Sequence, residues 1–438
     1  MKQGSTGLAH PNQLIRAIGL WDFTALVVNI TIGAGILGLP SRLYQLLGMN
    51  SLWAMIGTAV FIFILILCFA EVGSRFTHTG GAYLYAKSTY GPITGFLAGW
   101  LLWLSRLFSF ASVCNLLVDY AAWLWPPAAS GPVRISIIIV MVLLLGSLNF
   151  FGIKPATRVN NILTCLKLVV LICFVAVGLG HMPAQIHYTN ISFRWSSFLS
   201  GILLLVFAFS GFDVAAIPAG EIKNPHRTVP KGLLLAIAIV TLLFIGIQWV
   251  CIATLPDLAK SAKPVADAAS RFMGPAGALF VTIGALVTVA GTLNALMLTS
   301  TRLLFAMGEQ QQMPAFLTVL HKRYHTPVWS IVITCLVILV LTVNSTFVSA
   351  LTFSAVIRLF TFITTCLALP LLRRNKPDAP FKVKGGVILS VFAIVVSAVL
   401  FFNIDFKEAY GALIAAGFGL LIFGLYILYL KFRKQPVK

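Results

Sequence analysis

The chain has 438 residues, of which 59% are hydrophobic and only 10% are charged. Soluble globular proteins carry about a quarter charged residues, so this composition excludes an ordinary soluble domain and indicates a protein that crosses a membrane many times. The formal net charge of +20 would suggest nucleic-acid binding in a soluble protein, so its distribution along the chain has to be considered before it is interpreted.

Apolar runs long enough to cross a bilayer recur along the whole chain. A helix needs about 20 apolar residues to span the hydrocarbon core, and these runs are too long and continuous for the strands of a membrane barrel. The sequence therefore predicts an all-α polytopic membrane protein with about twelve spans. The predicted spans cover residues 17–46, 51–74, 92–124, 134–151, 155–180, 196–222, 231–254, 275–307, 328–343, 346–371, 385–403 and 408–430.

The basic residues are distributed unevenly between the two sides of this predicted bundle. With the N-terminus in the cytoplasm, most of the 31 Lys and Arg residues fall in cytoplasmic loops and tails. The positive-inside rule then predicts a multi-pass protein of the inner (plasma) membrane with both termini in the cytoplasm. Topology accounts for the net charge, so no nucleic-acid partner is expected. Residues 1–16 lack the pattern of a cleavable signal, and the first span is expected to direct insertion.

Cysteine and histidine positions give no indication of a metal or cofactor. The seven Cys lie in predicted spans without CxxC spacing, and the seven His lie in loops or at span ends. We therefore expect no disulfide framework, no metal site and no cofactor. The residue sets of common hydrolases and metalloproteases are also missing from the sequence, so we do not expect an enzyme.

The first span contains the stretch NITIGAGILGLP at residues 29–40. A helix can unwind at membrane depth only where protein, water or a ligand takes up the freed N–H and C=O groups. Gly33 and Gly35 permit such a break, and the amides that open the next half-helix attract an anion. The same small residues also suit close helix packing, so this segment alone leaves both interpretations open.

A second interruption occurs in span 6, which reads LLLVFAFSGFDVAAIPAGEIKNP. Ser210, Gly211 and the ionisable Asp213 lie in the middle of this segment, and Pro218 follows. The two breaks begin two consecutive groups of five spans, and because five is odd, the second group enters the membrane from the opposite face. Discontinuous helices at matching positions of inverted repeats indicate the midplane site of a secondary transporter.

Four stretches resemble the amino acid-polyamine-organocation superfamily of permeases. They are the GAG break, CFAEVGSRFTHTGGAYLYAKSTYG at residues 68–91, FAFSGFD at 207–213 and GEIKNPHRTVPKG at 220–232. The resemblance implies the leucine-transporter fold of 5+5 inverted repeats with discontinuous helices 1 and 6. It also implies alternating access, with an amino acid or amine held between spans 1, 3, 6, 8 and 10.

On this fold the chain divides into five regions. They are a cytoplasmic N-terminal segment (1–16), a first five-helix repeat (17–182), an inverted second repeat (195–374), two peripheral spans (385–430) and a basic cytoplasmic tail (431–438). The peripheral spans are a frequent dimer surface in relatives, so both a monomer and a homodimer remain open.

The resemblance implies substrate contacts at both breaks. The substrate carboxylate would meet backbone amides around Ala34 and Gly35, and its ammonium group would meet carbonyls near the end of half-helix 6a. Electrostatics agree, because the amides opening a half-helix favour an anion and the carbonyls closing one favour a cation. Some relatives have serine at Ala34, and its absence leaves the carboxylate to backbone amides. The predicted contacts at the breaks are Thr31, Gly33, Ala34, Gly35, Phe207, Ser210, Gly211 and Asp213.

Ionisable residues inside spans are expensive to insert, so each is a functional hypothesis. Lys167 in span 5 has two interpretations: a coupling site that exchanges protons, or a permanently charged strut bonded to span-1 carbonyls. Arg106 in span 3 needs a carboxylate partner, either the substrate, which would make it a substrate-binding residue, or Asp213 in a structural ion pair, and in either case it places a fixed cation near the pocket. A fixed cation there disfavours basic cargo.

Four further charged residues are predicted to gate the transport path. Glu71, Arg75 and Glu221 fall at cytoplasmic helix ends and resemble an inner gate network, although simple anchoring explains them equally well. Arg358 in span 10 corresponds to a recurring family position that stabilises a gate, and a strut at a helix end is the alternative.

The sequence as a whole predicts a permease that moves amino acids by alternating access without covalent chemistry. Neutral or acidic L-amino acids are the expected cargo, and protons or a counter-amino acid are the expected driving partner. An amine or polyamine antiporter and a non-transporting membrane amino acid sensor remain as alternatives.

Overall fold

The computed structural model describes residues 15–33, 35–183, 193–215, 217–261, 263–345, 347–375, 378–402 and 406–433. These residues form α-helices joined by turns and short 3₁₀ segments, and no β-strand occurs among them. The helices are α1 (Leu20–Thr31), α2 (Gly35–Leu47), α3 (Asn50–Gly73), α4 (Ala82–Tyr90), α5 (Pro92–Leu124), α6 (Gly131–Phe150), α7 (Ile153–Gly180), α8 (Trp195–Phe209), α9 (Phe212–Ala215), α10 (Pro225–Thr254), α11 (Pro264–Glu309), α12 (Val328–Asn344), α13 (Phe347–Asn375), α14 (Gly386–Phe402) and α15 (Phe406–Arg433).

The described helices include seven that are long and apolar enough to cross a membrane, namely α3, α5, α6, α7, α10, α11 and α15. The bent pair α1 and α2 makes an eighth candidate, and α8, α12 and α14 are shorter apolar helices. The protein is therefore an all-helical, polytopic membrane protein, as the composition predicts. The predicted and observed helix ends differ mostly by a few residues, because the charged, proline and glycine residues used as breaks also end the helices.

The first span is bent where the sequence predicts a break. Helix α1 ends at Thr31, α2 begins at Gly35, and the two axes differ by 45°. Ile32 follows α1 with φ −79° and ψ 82°, outside the helical region. The break therefore falls inside an apolar segment, where its backbone groups need partners from the protein.

The second break separates α8 from α9. Ser210 has an extended backbone with φ −80° and ψ 157°, and Gly211 has φ +135°, a conformation that L side chains rarely adopt. The Cβ of any other residue at position 211 would lie 2.8 Å from Ile30 Cγ2 and 3.1 Å from Thr31 N. Glycine at this position thus allows the second break to lie directly against the end of α1.

Asn29 joins three helices next to the first break. Its side-chain amide donates to Asn160 Oδ1 of α7 at 2.7 Å and to the Gly291 carbonyl of α11 at 2.8 Å. The Asn29 side chain is fully buried. A Cβ at Gly291 would lie 2.5 Å from Asn29 Oδ1, so the glycine permits the close approach of α1 and α11.

We predict that Gly291→Ala lowers the stability of the detergent-solubilised protein. The added methyl group displaces the Asn29 amide, and overpacking of this kind costs about 1–3 kcal/mol. Gly57→Ala is the matched control, because Gly57 is an exposed glycine within α3 and a methyl group added there would meet nothing within 4 Å. Thermal unfolding midpoints should fall for Gly291→Ala and hold or rise for Gly57→Ala; equal midpoints for both variants would contradict the tight contact.

Candidate functional site

A small cavity lies between the two helix breaks. Its volume is about 40 Å³, which leaves room for about three water molecules. The wall is built by the α1–α2 break, the end of α8 and the facing sides of α5, α11 and α13. The residues lining it are Ile30, Thr31, Gly33, Gly35, Ser109, Ser112, Val113, Phe207, Ala208, Ser210, Thr292, Leu296 and Arg358.

Most residues predicted at the breaks lie on this wall. Thr31, Gly33 and Gly35 line it from the first break, and Phe207 and Ser210 line it from the second. Gly211 is buried behind Ser210 and packs against the end of α1. Ala34 lies outside the described residues.

Carbonyl groups at the end of α1 are satisfied by side chains from other helices. The ammonium group of Lys167 on α7 donates to the carbonyls of Asn29 at 3.1 Å and Ile32 at 2.7 Å. The Thr292 hydroxyl on α11 also donates to Asn29 O at 3.1 Å. Because α1 stops at Thr31, these carbonyls lack the amide donors of a continuing helix. Lys167 and Thr292 replace those donors.

The second break is stabilised by its own side chains. The Ser210 hydroxyl donates to the Phe207 carbonyl at 2.6 Å, and the Ser210 backbone N–H donates to the same oxygen at 3.2 Å. Asp213 Oδ1 accepts the Gly211 N–H at 3.1 Å. The Phe207 carbonyl, a predicted acceptor for a ligand ammonium group, is therefore already occupied by Ser210.

Two arginines lie close to the second break, and one of them faces the cavity. Arg358 on α13 donates to the hydroxyl oxygens of Ser210 and, at 3.1 Å, Ser109, and its guanidinium carbon lies 5.1 Å from the centre of the Phe207 ring. The sequence interpretation of Arg358 as a gate or helix-end strut did not anticipate this position. Arg358 lies within α13 and forms part of the cavity wall.

Arg106 on α5 lies behind the wall. Its Nη2 is 3.8 Å from Asp213 Oδ2 and donates to Ser105 Oγ at 3.1 Å. Both side chains of the Arg106–Asp213 pair are fully buried. Asp213, one of the two partners considered for Arg106, thus lies beside it.

Two of the acidic residues predicted as gates form ion pairs away from the cavity. Glu71 accepts two hydrogen bonds of 2.7 Å from Arg373, one to each carboxylate oxygen, and a third of 2.8 Å from the Val383 N–H. The predicted neighbour Arg75 is farther, with Nη2 at 3.4 Å from Glu71 Oε1. Arg373 on α13 is thus the main partner of Glu71, and sequence proximity did not reveal it.

The other pair joins Glu221 to Arg302 on α11. Arg302 Nε lies 3.0 Å from Glu221 Oε2 and Arg302 Nη2 lies 3.3 Å from Oε1, with both side chains buried. The Glu221 carbonyl also accepts the N–H groups of Ala17 and Ile18, both at 2.9 Å. The segment before α1 is therefore fastened to the loop that follows the second break.

Three buried phenylalanines pack together beside the second break. Phe69, Phe212 and Phe362 have ring centres 5.3–6.0 Å apart and come from α3, α9 and α13. Phe69 is close in sequence to Glu71, and Phe212 directly precedes Asp213. The cluster thus connects the helices that carry the cavity with those that carry the Glu71 ion pair.

Sequence reasoning missed the polar residues that helices α5 and α11 contribute to the wall. Ser109, Ser112 and Thr292 are small hydroxyl residues within apolar segments. The hydroxyl group is the one feature that distinguishes these residues in the sequence. Hydroxyl residues are common in membrane helices, where they also bond to carbonyls of their own helix. A search for hydroxyl residues on spans 3 and 8 would have found them among several others.

The chain is similar to known membrane carriers. A family model described as "Amino acid permease" matches residues 18–428. The branched-chain amino acid permease BcaP of Bacillus subtilis (strain 168) is 26% identical, and the match covers 94% of this chain and 93% of BcaP. The serine/threonine exchanger SteT of the same organism is 28% identical over 72% of this chain and 74% of SteT. The methylthioribose transporter, also from B. subtilis, is 26% identical over 72% of each chain.

We predict that Thr292→Val lowers the thermal unfolding midpoint more than Thr288→Val does. Both threonines are buried on α11, and each hydroxyl lies within bonding distance of a carbonyl on its own helix, that of Gly284 for Thr288 and that of Thr288 for Thr292. The Thr292 hydroxyl in addition reaches Asn29 O at 3.1 Å on α1. Loss of the interhelical bond should cost about 0.5–1.5 kcal/mol. Equal midpoints for the two isosteric variants would mean that Thr292 adds nothing to the stability of the break.

Proposed function

The chain belongs to the amino acid permease family, and we propose that it is a secondary active transporter that moves neutral or acidic L-amino acids by alternating access. The observation that carries this proposal is a cavity at the meeting point of two interrupted helices in a chain that matches the family over residues 18–428. The names of BcaP and SteT specify amino acids, which supports the same class of cargo.

The proposed architecture is the 5+5 inverted repeat, with residues 17–182 and 195–374 as the two halves. The position of the breaks supports it, because the interrupted pair α1–α2 opens the first half and α8–α9 opens the second. Residues 385–430 then form two peripheral spans, between the repeats and a basic tail at 431–438. Transporter sites of this kind lie near the membrane midplane between the repeats.

The ligand enters by displacing contacts that the protein makes with itself. A cavity of about 40 Å³ is too small for an amino acid. Binding therefore requires the wall to open, and the Phe207 carbonyl must exchange its Ser210 partner for the ligand ammonium group. A site that changes shape between empty and loaded states is what alternating access needs.

We propose that one end of the bundle forms a cytoplasmic gate. Its parts are the Glu71–Arg373 pair, the Glu221–Arg302 pair and the cluster of Phe69, Phe212 and Phe362. The positive-inside rule assigns this end to the cytoplasm, with both termini on that side of the plasma membrane. Release of cargo to the cytoplasm then requires these contacts to separate.

Lys167 is the proposed coupling residue. Its ammonium group holds the carbonyls at the end of α1, so gain or loss of its proton changes the donors available to the first break. No carboxylate lies within 4 Å of its nitrogen among the described residues. A lysine without a carboxylate partner can lose its proton more readily, which suits a residue that exchanges protons. A purely structural lysine would instead keep its positive charge throughout.

The uptake of labelled substrates into sealed proteoliposomes tests the proposed function directly. The panel contains the twenty amino acids and putrescine, and the vesicles are either empty with an imposed proton gradient or preloaded with unlabelled substrate. We expect uptake of at least one amino acid and no uptake of putrescine. Uptake confined to preloaded vesicles would make the protein an exchanger. Binding without uptake would favour a sensor, and putrescine uptake would favour an amine antiporter.

Substitution of Lys167 separates proton coupling from a purely structural role. Lys167→Arg keeps a positive charge that is not released at physiological pH. We expect it to retain exchange of substrate across the membrane while losing the dependence of uptake on external pH. Lys154→Arg, at an exposed position near the start of the same helix, is the control. An unchanged pH profile in Lys167→Arg would reduce Lys167 to a strut.

A further inference from the structure

The centre of the protein holds more positive than negative charge. Arg106 and Arg358 are both buried there, and Asp213 is the carboxylate near them among the described residues. Guanidinium groups stay protonated in proteins, so neither arginine can be neutralised by losing a proton. Lys167 adds a third cationic side chain on the other side of the first break. This part of the protein is therefore suited to an additional anion.

Some hydrogen-bond donors of the two arginines also lack acceptors among the described residues. Within the part of the chain that the structure describes, Arg358 Nε and Arg106 Nε and Nη1 have no hydrogen-bond partner. The Arg106–Asp213 contact is a single long one of 3.8 Å, without the paired bonds that a carboxylate and a guanidinium can form. A buried guanidinium with open donors is costly until an acceptor reaches it.

Arg358 is the arginine that a ligand can reach. It lines the cavity, while Arg106 is held behind the wall by Asp213 and Ser105. Its present acceptors are the neutral hydroxyls of Ser109 and Ser210, and a carboxylate is a much stronger acceptor for the same donors. The Phe207 ring lies against the guanidinium group, 5.1 Å from its carbon, and limits its orientation.

We propose that the cargo is an acidic L-amino acid whose side-chain carboxylate binds Arg358. This inference rests on the proposed transport function. A neutral amino acid brings one positive and one negative charge, which the two half-helix ends already match. Aspartate or glutamate brings one further negative charge, and that charge offsets the excess at the centre. A basic cargo would instead bring a third positive group beside Arg358 and Arg106.

The test compares ligands that differ only in this carboxylate. Unlabelled L-glutamate and L-glutamine, and L-aspartate and L-asparagine, compete for uptake of labelled L-glutamate into proteoliposomes. The same four ligands are compared by the rise in thermal midpoint that each produces in detergent. We expect each acid to bind about tenfold or more tightly than its amide, the difference made by one charge-assisted hydrogen-bonded contact.

Arg358→Gln should remove this preference, so that each acid and its amide compete equally, while Arg358→Lys should retain part of it. Arg158→Gln, at an exposed position on α7, should behave as the unsubstituted protein does. If the glutamine variant does not fold, the acids and amides are compared on the unsubstituted protein and on Arg358→Lys. A smaller preference for acids in the lysine variant then supports recognition of the carboxylate by Arg358, and an unchanged preference contradicts it.

Three outcomes would overturn the inference in ways that differ from failure of the transport proposal. Equal competition by acids and amides in the unsubstituted protein would exclude recognition of the side-chain carboxylate. A preference for acids that persists in Arg358→Gln would assign it to another residue. Uptake of neutral amino acids that requires chloride, and is lost in gluconate, would show that an inorganic anion offsets the buried positive charge in place of a side-chain carboxylate. No uptake or binding of any amino acid would instead overturn the transport proposal itself.

Discussion

The structure depends on how backbone groups are satisfied where α1 stops inside an apolar environment. An unpaired carbonyl in such surroundings costs several kcal/mol, so the break exists only because other helices bring donors to it. Lys167 arrives from α7, and Thr292 from α11, while Asn29 ties both helices back to α1. The break is thus part of the contact between three helices, and movement of any one of them changes the groups presented to the cavity.

The buried charges are arranged in two separate sets. Those nearest the cavity, Arg358 and the Arg106–Asp213 pair, are under-supplied with acceptors. Those proposed to form the cytoplasmic gate, Glu71 with Arg373 and Glu221 with Arg302, are paired at 2.7–3.3 Å through several hydrogen bonds. Well-satisfied pairs favour one conformation, whereas open donors favour the arrival of a ligand. This difference fits the roles proposed for the two sets, gating for the well-paired residues and ligand recognition for the others.

Features that depend on the chemistry of one residue, such as a helix break or the need of a buried arginine for a carboxylate, could be predicted from the sequence. Helix breaks could be located because glycines interrupt both spans, and at Gly211 the backbone adopts φ +135°, which other residues resist. A partner for Arg106 could be proposed because an arginine inside a membrane needs a carboxylate and few are available. The wall could not be completed, since whether Ser109 or Thr292 turns toward the cavity depends on the rotation of α5 and α11. Ion pairs between residues far apart in the sequence could not be predicted either. Glu71 was matched with nearby Arg75, although its closest partner, Arg373, lies far along the chain.

The proposed binding of cargo by Arg358 has a consequence for how readily the cargo is released. Its guanidinium group bonds to Ser210 and packs on Phe207, so a molecule that binds there gains only the difference between its own contacts and those it displaces. Under the proposal, these contacts within the protein lower the affinity for the cargo, and they form again as the cargo leaves. A transporter has to release its cargo as well as bind it, and the return of Arg358 to Ser210 and Phe207 would make release easier without changing which ligand the arginine selects.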